Sequence, residues 1–172
     1  HDNYGVSSST LNGNAVNKDT VSGTLTAHRL QQVAYVNTYK TTGNLMINKT
    51  VRHNLGGDFT ADLSSKEFTV KVTLTGSDIP ETVETAAGTV LNVAQDGSFT
   101  FNIKDGQTVT VTDLDEGLGY IIEEINMPAG FNMSADSNGL RGTISADKNA
   151  RAYLINNYEP APYTPSFKLE AN

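Results

Sequence analysis

Three polar residues of this chain, Lys49, Glu124 and Asn156, fall on strand faces that are otherwise apolar. Lys49 shares parity with Leu45, Ile47 and Val51 in "LMINKTV", and Glu124 with Tyr120 and Ile122 in "YIIEEI". Asn156 does so with Ala152, Leu154 and Tyr158 in "RAYLINNY", whereas the neighbouring Glu123 and Asn157 point the other way. An amine, a carboxyl and a carboxamide that meet out of water have a definite chemistry. Burial disfavours charge, so a lysine can become a neutral nucleophile and a carboxylic acid can carry a proton. The acid polarises the carboxamide carbonyl and shuttles protons as the amine attacks; ammonia leaves and a Lys–Asn isopeptide bond remains. Fixed proximity makes feasible a step that would be hopeless between separate molecules. Unpaired in a core, the same groups are costly, about 1–3 kcal/mol for an unsatisfied amide and more for a lone charge.

Taken singly, each residue also has an ordinary reading. Lys49 would be a solvated strand lysine, Glu123 and Glu124 an exposed acidic pair, and Asn156 a turn or capping residue, since charges on strand faces are common. Spacing alone leaves both readings open.

The elements that must position the three are strands. "KEFTVKVTLTG" (66–76) places Phe68, Val70, Val72 and Leu74 on one face and ends on a glycine. "TVLNV" and "SFTFNI" flank "AQDG" (94–97), an Asp-Gly hairpin signal, and "DGQTVTVTDLDEG" (105–117) reads as turn, strand, turn. Helical periodicity is missing throughout, while Tyr, Phe, Val and Thr are prominent. Short strands at this spacing predict an all-β sandwich or Greek-key barrel. The 172 residues suffice for one domain or two small ones.

Composition narrows the function classes. A formal charge of -7, with no Lys/Arg cluster, argues against nucleic-acid or anionic-membrane partners. No run of 18 apolar residues and no basic-then-apolar leader occurs, so the expectation is a fragment without membrane insertion or its own export signal. Cysteine is absent, which excludes disulfides, thiol nucleophiles and cysteine-based metal sites. His1, His28 and His53 are scattered, and neither "TDLDEG" (112–117) nor "NGNAVNKD" (12–19) matches a calcium-loop pattern. No metal or cofactor is expected.

Two segments repeat. "GTLTAHRLQQVAYVNTY" from Gly23 and "GTISADKNARAYLINNY" from Gly142 both place Asn and then Tyr at the same offsets, giving Asn37 and Tyr39 against Asn156 and Tyr158. Upstream, "YGVS" (4–7) echoes "FNMS" (131–134), and "FKLEAN" (167–172) echoes "NLMIN" (44–48). The division this predicts is a C-terminal remnant of an upstream repeat in 1–40 and a complete domain in 41–158. A Pro-rich linker with the first strand of a further repeat follows in 159–172.

"YIIEEINMPAGF" (120–131) resembles the E-box of Gram-positive surface domains of the CnaB type. "KEFTVKVTL", "FNIKDGQTVTVTDLDEGLGY" and "LINNY" resemble the FctA-like backbone pilins, and these blocks occur in the family's order over most of 45–158. The resemblance implies an Ig-like (CnaB-type) β-sandwich with a self-formed intramolecular isopeptide bond. It implies Lys49 on the first strand, Asn156 on the last, and Glu124 as the proton shuttle. Asn37 would be the bond-forming residue of the upstream repeat, unbonded here because its lysine and glutamate lie elsewhere.

The function this implies is a structural module of a pilus or adhesin stalk, extracellular and on the cell surface, with neighbouring domains or pilin subunits as partners. The alternative is an adhesin domain of the same fold binding a host matrix protein or glycan. Nothing supports an enzyme acting on an external substrate, since isopeptide formation is single-turnover.

Overall fold

The computed structural model describes residues 4–16, 21–54 and 62–160, and among them every regular element is a strand. The chain divides into two units, His1–Thr42 and Gly43–Asn172.

The first unit is a three-stranded antiparallel sheet of β1 (Tyr4–Leu11), β2 (Asn14–Ala15) and β3 (Val33–Tyr39), in the order β2-β1-β3. Asn12 and Gly13, with φ of 53° and 81°, supply the left-handed pair that a two-residue hairpin loop demands between β1 and β2. In the first of the two repeated segments, which begins at Gly23, the strand starts only at Val33. His28, at φ 63°, breaks the extended backbone, and Leu25 and Leu30 are 86% and 92% exposed, so residues 23–32 have no apolar face to bury. Nor is β3 left alone, because β1 pairs with it from Tyr4↔Tyr39 to Leu11↔Val33.

The second unit holds β4 (Thr42–His53), β5 (Glu67–Thr75), β6 (Thr82–Thr85), β7 (Val90–Asn92) and β8 (Ser98–Lys104). It continues with β9 (Thr108–Asp115), β10 (Gly119–Ile125), β11 (Phe131–Met133), β12 (Arg141–Thr143) and β13 (Asn149–Tyr158). Four of these form the sheet β12-β10-β5-β8, and six form β11-β13-β4-β9-β6-β7. The two inner faces share one core. It includes Leu45 and Ile47 of β4, Phe68 to Leu74 of β5, Val111 and Leu114 of β9, Ile122 of β10, and Ala152 and Leu154 of β13. Period-two alternation produces this: β5 buries every second residue and turns its Thr and Lys positions outward.

Most strands here meet antiparallel neighbours. The exception that matters is β4 with β13, a parallel pair running from Asn149↔Asn44 to Tyr158↔His53. A parallel pair needs a long crossover, and here nearly the whole domain supplies it, bringing its first and last strands side by side.

The Asp-Gly signal at 94–97 marks a turn but not a hairpin. Gly97, at φ 79°, donates to Ala94 O over 2.9 Å, and Ala94 N donates to Ser98 O over 2.7 Å. The strands then part, β7 pairing with β6 and β8 with β5. Leu74 N donates to Gly97 O, which draws the outgoing chain onto β5 in the other sheet. The predicted linker and final strand in 159–172 lie, from residue 161 onward, outside the described residues.

Candidate functional site

Lys49 lies in the middle of β4, and the turn before β9 takes up both its backbone N–H and its C=O. Lys49 N donates to Gln107 O and Gly106 N donates to Lys49 O, each over 3.0 Å. One same-face step further, Val51 N donates to Asp105 Oδ1 over 2.7 Å. Asn156 lies on β13 between Met133 of β11 and Val51 of β4. Leu154 is opposite Lys49, so Asn156 is the next residue along on the same face of the same sheet. Diagonal neighbours of this kind stand about 7–8 Å apart, within the reach of a long side chain. Glu124 comes from the other sheet, on β10 opposite Val70 of β5.

All three side chains are inside. Those of Lys49 and Glu124 are 0% and 1% exposed, and Asn156 is 0% exposed. Glu123 is exposed and Asn157 only half-buried, so each near-duplicate sits on the outer side of its strand. Lys49 Nζ approaches Glu124 Oε1 to 3.0 Å, without the alignment of a hydrogen bond. Among the described residues the amine, both carboxylate oxygens and both polar atoms of the Asn156 carboxamide have no hydrogen-bond partner. Such orphaned groups are rare in native cores, and each calls for an explanation.

The walls of the site are aromatic. Lys49 Nζ lies 4.2 Å from the centre of the Phe68 ring, which forms a T-shaped pair with Phe131, ring centres 5.1 Å apart; Phe131 in turn packs on Tyr158 with ring centres 4.8 Å apart. This shell excludes water, and burial pulls the Lys49 amine below its usual value, against the opposing pull of Glu124. Phe68 and Phe131 have no chemistry-bearing atoms to single them out in the sequence. The parity of Phe68 with Val70, which faces Glu124, is the signal that could have placed it here.

Chemically the arrangement sets a desolvated amine against a carboxyl, with an unpartnered carboxamide one same-face step away on the neighbouring strand. Proton transfer from the ammonium to the carboxylate yields a neutral nucleophile and a general acid in one step.

Other candidates stay apart. His28 and His53 are exposed, and His1 lies outside the described residues. Among the described residues no group of three His, Cys, Asp or Glu side chains could hold a metal ion, and no helix is long and apolar enough to cross a membrane.

Residues 43–158 match the family described as a domain of unknown function, DUF7601. Among solved structures, the fold is similar to the pilus-presented adhesin Spy0125 (Cpa) at 25% identity and a TM-score of 0.51, covering 70% of this chain and 28% of that one. It is similar also to the major pilin protein T3.2 from Streptococcus pyogenes, at 17% identity and a TM-score of 0.50, covering 77% of this chain and 51% of the pilin. The chain thus spans about a quarter to a half of these proteins. The two-sheet architecture is the Ig-like sandwich of those domains. The comparison with curated proteins returns no match.

Proposed function

We propose that this chain, which belongs to the DUF7601 family, is a structural module of a bacterial surface pilus or adhesin stalk, braced by an isopeptide bond between Lys49 and Asn156. The observation that carries the reading is the buried Lys49–Glu124 contact, with the buried and unpartnered Asn156 carboxamide one same-face step along the strand next to that of Lys49. Left unreacted, this core holds an ion pair whose desolvation cost can exceed its attraction, together with an orphaned amide costing about 1–3 kcal/mol. Reaction removes the charges and the orphan together.

The steps balance. Glu124 takes a proton from the Lys49 ammonium, leaving a neutral amine. The amine attacks Cγ of Asn156 while protonated Glu124 donates to the carbonyl oxygen, forming a tetrahedral carbon. Glu124 then relays protons from the former lysine nitrogen to the departing amide nitrogen, which leaves as ammonia. As the carbonyl re-forms, its hydroxyl proton returns to Glu124, so the products are one amide bond, ammonia and a neutral Glu124 that keeps the proton the lysine ammonium brought in. The amide is indifferent to redox conditions, which suits a chain with no cysteine.

Placement gives the bond its use. Pulling on residue 43 and residue 158 loads β4 and β13, neighbouring parallel strands, in shear. A bond from residue 49 to residue 156 passes the load directly between them, and everything from 50 to 155 is spared. The similarity to a pilus-presented adhesin and a pilin domain supports a place on the cell surface, with adjoining domains or pilin subunits of one fibre as partners.

The division into a remnant (1–40), a full domain (41–158) and a leading segment of a further repeat (159–172) belongs to this proposal. Ladder register supports it: Tyr4↔Tyr39 and Val6↔Asn37 in the first unit match Phe131↔Tyr158 and Met133↔Asn156 in the second. The deciding experiment is intact mass of the denatured chain, in which the bond appears as a loss of about 17 Da. A folded chain at its full mass would end the reading.

A further inference from the structure

On the β11 side, the strand that carries Asn156 is anchored, one residue before it, by a side chain where the ladder breaks. From Met133↔Asn156 the β11–β13 ladder continues with Ser134 N donating to Ile155 O over 2.8 Å, then breaks. It resumes at Asn138, which exchanges both backbone hydrogen bonds with Tyr153 at 2.9 and 3.1 Å. Six residues, 133–138, thus oppose four, 153–156. The bulge would leave Ile155 N–H unanswered, but the Ser137 hydroxyl fills the gap. Ser137 Oγ accepts from Ile155 N over 3.0 Å and donates to Ile155 O over 3.1 Å.

The bulge is itself held. Asp136 N donates to Ser134 Oγ over 3.2 Å, and Asn138 Nδ2 donates to Asp136 O over 3.0 Å. Asp136 Oδ2 meets Arg52 Nη1 of β4 at 2.6 Å, and Arg52 stands opposite Asn157 in the parallel ladder. At the far end of the bulge Gly139, at φ 69°, lies so close to Arg151 O that a Cβ could not fit. A strap therefore runs from β4, through Arg52 and Asp136, to Ser137 and the backbone of residue 155. It ties the strand of the amine to the strand of the carboxamide beside the place where they would react.

We propose that Ser137 is a positioning residue for cross-linking: by pinning both backbone groups of Ile155 it sets the direction in which the adjacent Asn156 carboxamide points. The inference rests on the isopeptide reading. The carboxamide has no hydrogen bond of its own to aim it, so its direction follows the backbone and the packing alone. Attack on a carbonyl is steeply sensitive to that direction, and a misplacement of about 1 Å can cost ~100-fold in rate.

The test is a short pulse of cell-free synthesis of the full chain, with intact mass at set times after translation stops. Four proteins are compared: wild type, Ser137→Ala, Ser137→Thr and Val83→Ala. The last opens a cavity at a buried residue of β6, a strand that neighbours β9 and β7 and not β4, β11 or β13. Ser137→Ala is expected to lose its ammonia roughly 10-fold to 100-fold more slowly than wild type while reaching the same final mass. Ser137→Thr, which keeps the hydroxyl, is expected to return most of the rate, and Val83→Ala to react at the wild-type rate despite a lower Tm. Wild-type speed in Ser137→Ala, or equal slowing in Val83→Ala, overturns the positioning role while the isopeptide reading stands. A wild-type chain that never loses ammonia overturns both.

Discussion

Lys49 and Asn156 stand on neighbouring parallel strands with Leu154 opposite the lysine and the asparagine one same-face step beyond. This offset lets a long amine reach diagonally toward a short carboxamide without either strand leaving its ladder. Glu124 arrives from the facing sheet to within 3.0 Å of the amine. Each strand supplies one group, and packing of the two sheets is what assembles them. Folding and assembly of the site are therefore one event.

Intact mass reads the chemistry most directly. Wild-type chain is expected about 17 Da below the mass of its sequence, and Lys49→Ala, Glu124→Ala and Asn156→Ala each at full mass. Glu124→Ala is the telling one, because it removes neither atom of the bond. A Glu124→Ala protein that still loses ammonia would remove Glu124 from the mechanism.

Stability should change by more than a core contact is worth. The bond closes a loop from residue 49 to residue 156, and closing a loop of about 100 residues restricts the unfolded chain by ~4.7 kcal/mol in the chain-entropy account. For a domain of this size that corresponds to a fall in Tm of about 15 °C or more in Asn156→Ala. Calorimetry on the two proteins measures it. A fall of only a degree or two would mean that the strands gain little from being joined.

The parity of single strands placed Lys49, Glu124 and Asn156 on inward faces and Glu123 and Asn157 on outward ones, as their burial has it, because a period of two leaves no intermediate facing. The long central strands, β5, β9, β10 and β13, were legible for the same reason. Short strands were not: β6, β11 and β12 span four, three and three residues, too few for alternation to show. The turn at 94–97 was legible as a turn, but the partners of its flanking strands depend on Leu74, distant in sequence. Ser137 was invisible, since "SADSNG" has the composition of any loop, and only the fold brings its hydroxyl to Ile155.

Burial lowers the Lys49 amine from its usual 10.5, with Glu124 opposing the shift. In Asn156→Ala this amine stays free and titrates. Between its lowered native value and 10.5, the unfolded chain holds a proton that the folded one has shed, so stability rises with pH across that window. Below the native value both states are protonated, and the cost of the buried charge is felt in full. In a cross-linked wild type the nitrogen would be an amide and contribute no such slope. Tyr120, raised by burial, acts in the opposite sense near and above 10 in both proteins, so the difference between them is the quantity to follow. Urea midpoints from neutrality to about pH 10 should climb in Asn156→Ala relative to wild type. Parallel curves would show that Lys49 is free in both proteins or not desolvated in either.

Asn37 tests whether register alone can make a bond. It stands opposite Val6 as Asn156 stands opposite Met133, so by backbone placement it is the counterpart of the reacting residue. Yet residues 1–40 contain no glutamate, and the reaction needs an acid that can both give and take a proton. A nearby amine would therefore be insufficient. The expected outcome is a single ammonia loss from the whole chain, unchanged in Asn37→Ala, with the proteolytic peptide bearing Asn37 at its unmodified mass. A second loss of about 17 Da, abolished by Asn37→Ala, would mean that the first unit completes a site of its own. The carboxyl would then have to come from one of the aspartates, Asp2 or Asp19, or from beyond residue 40.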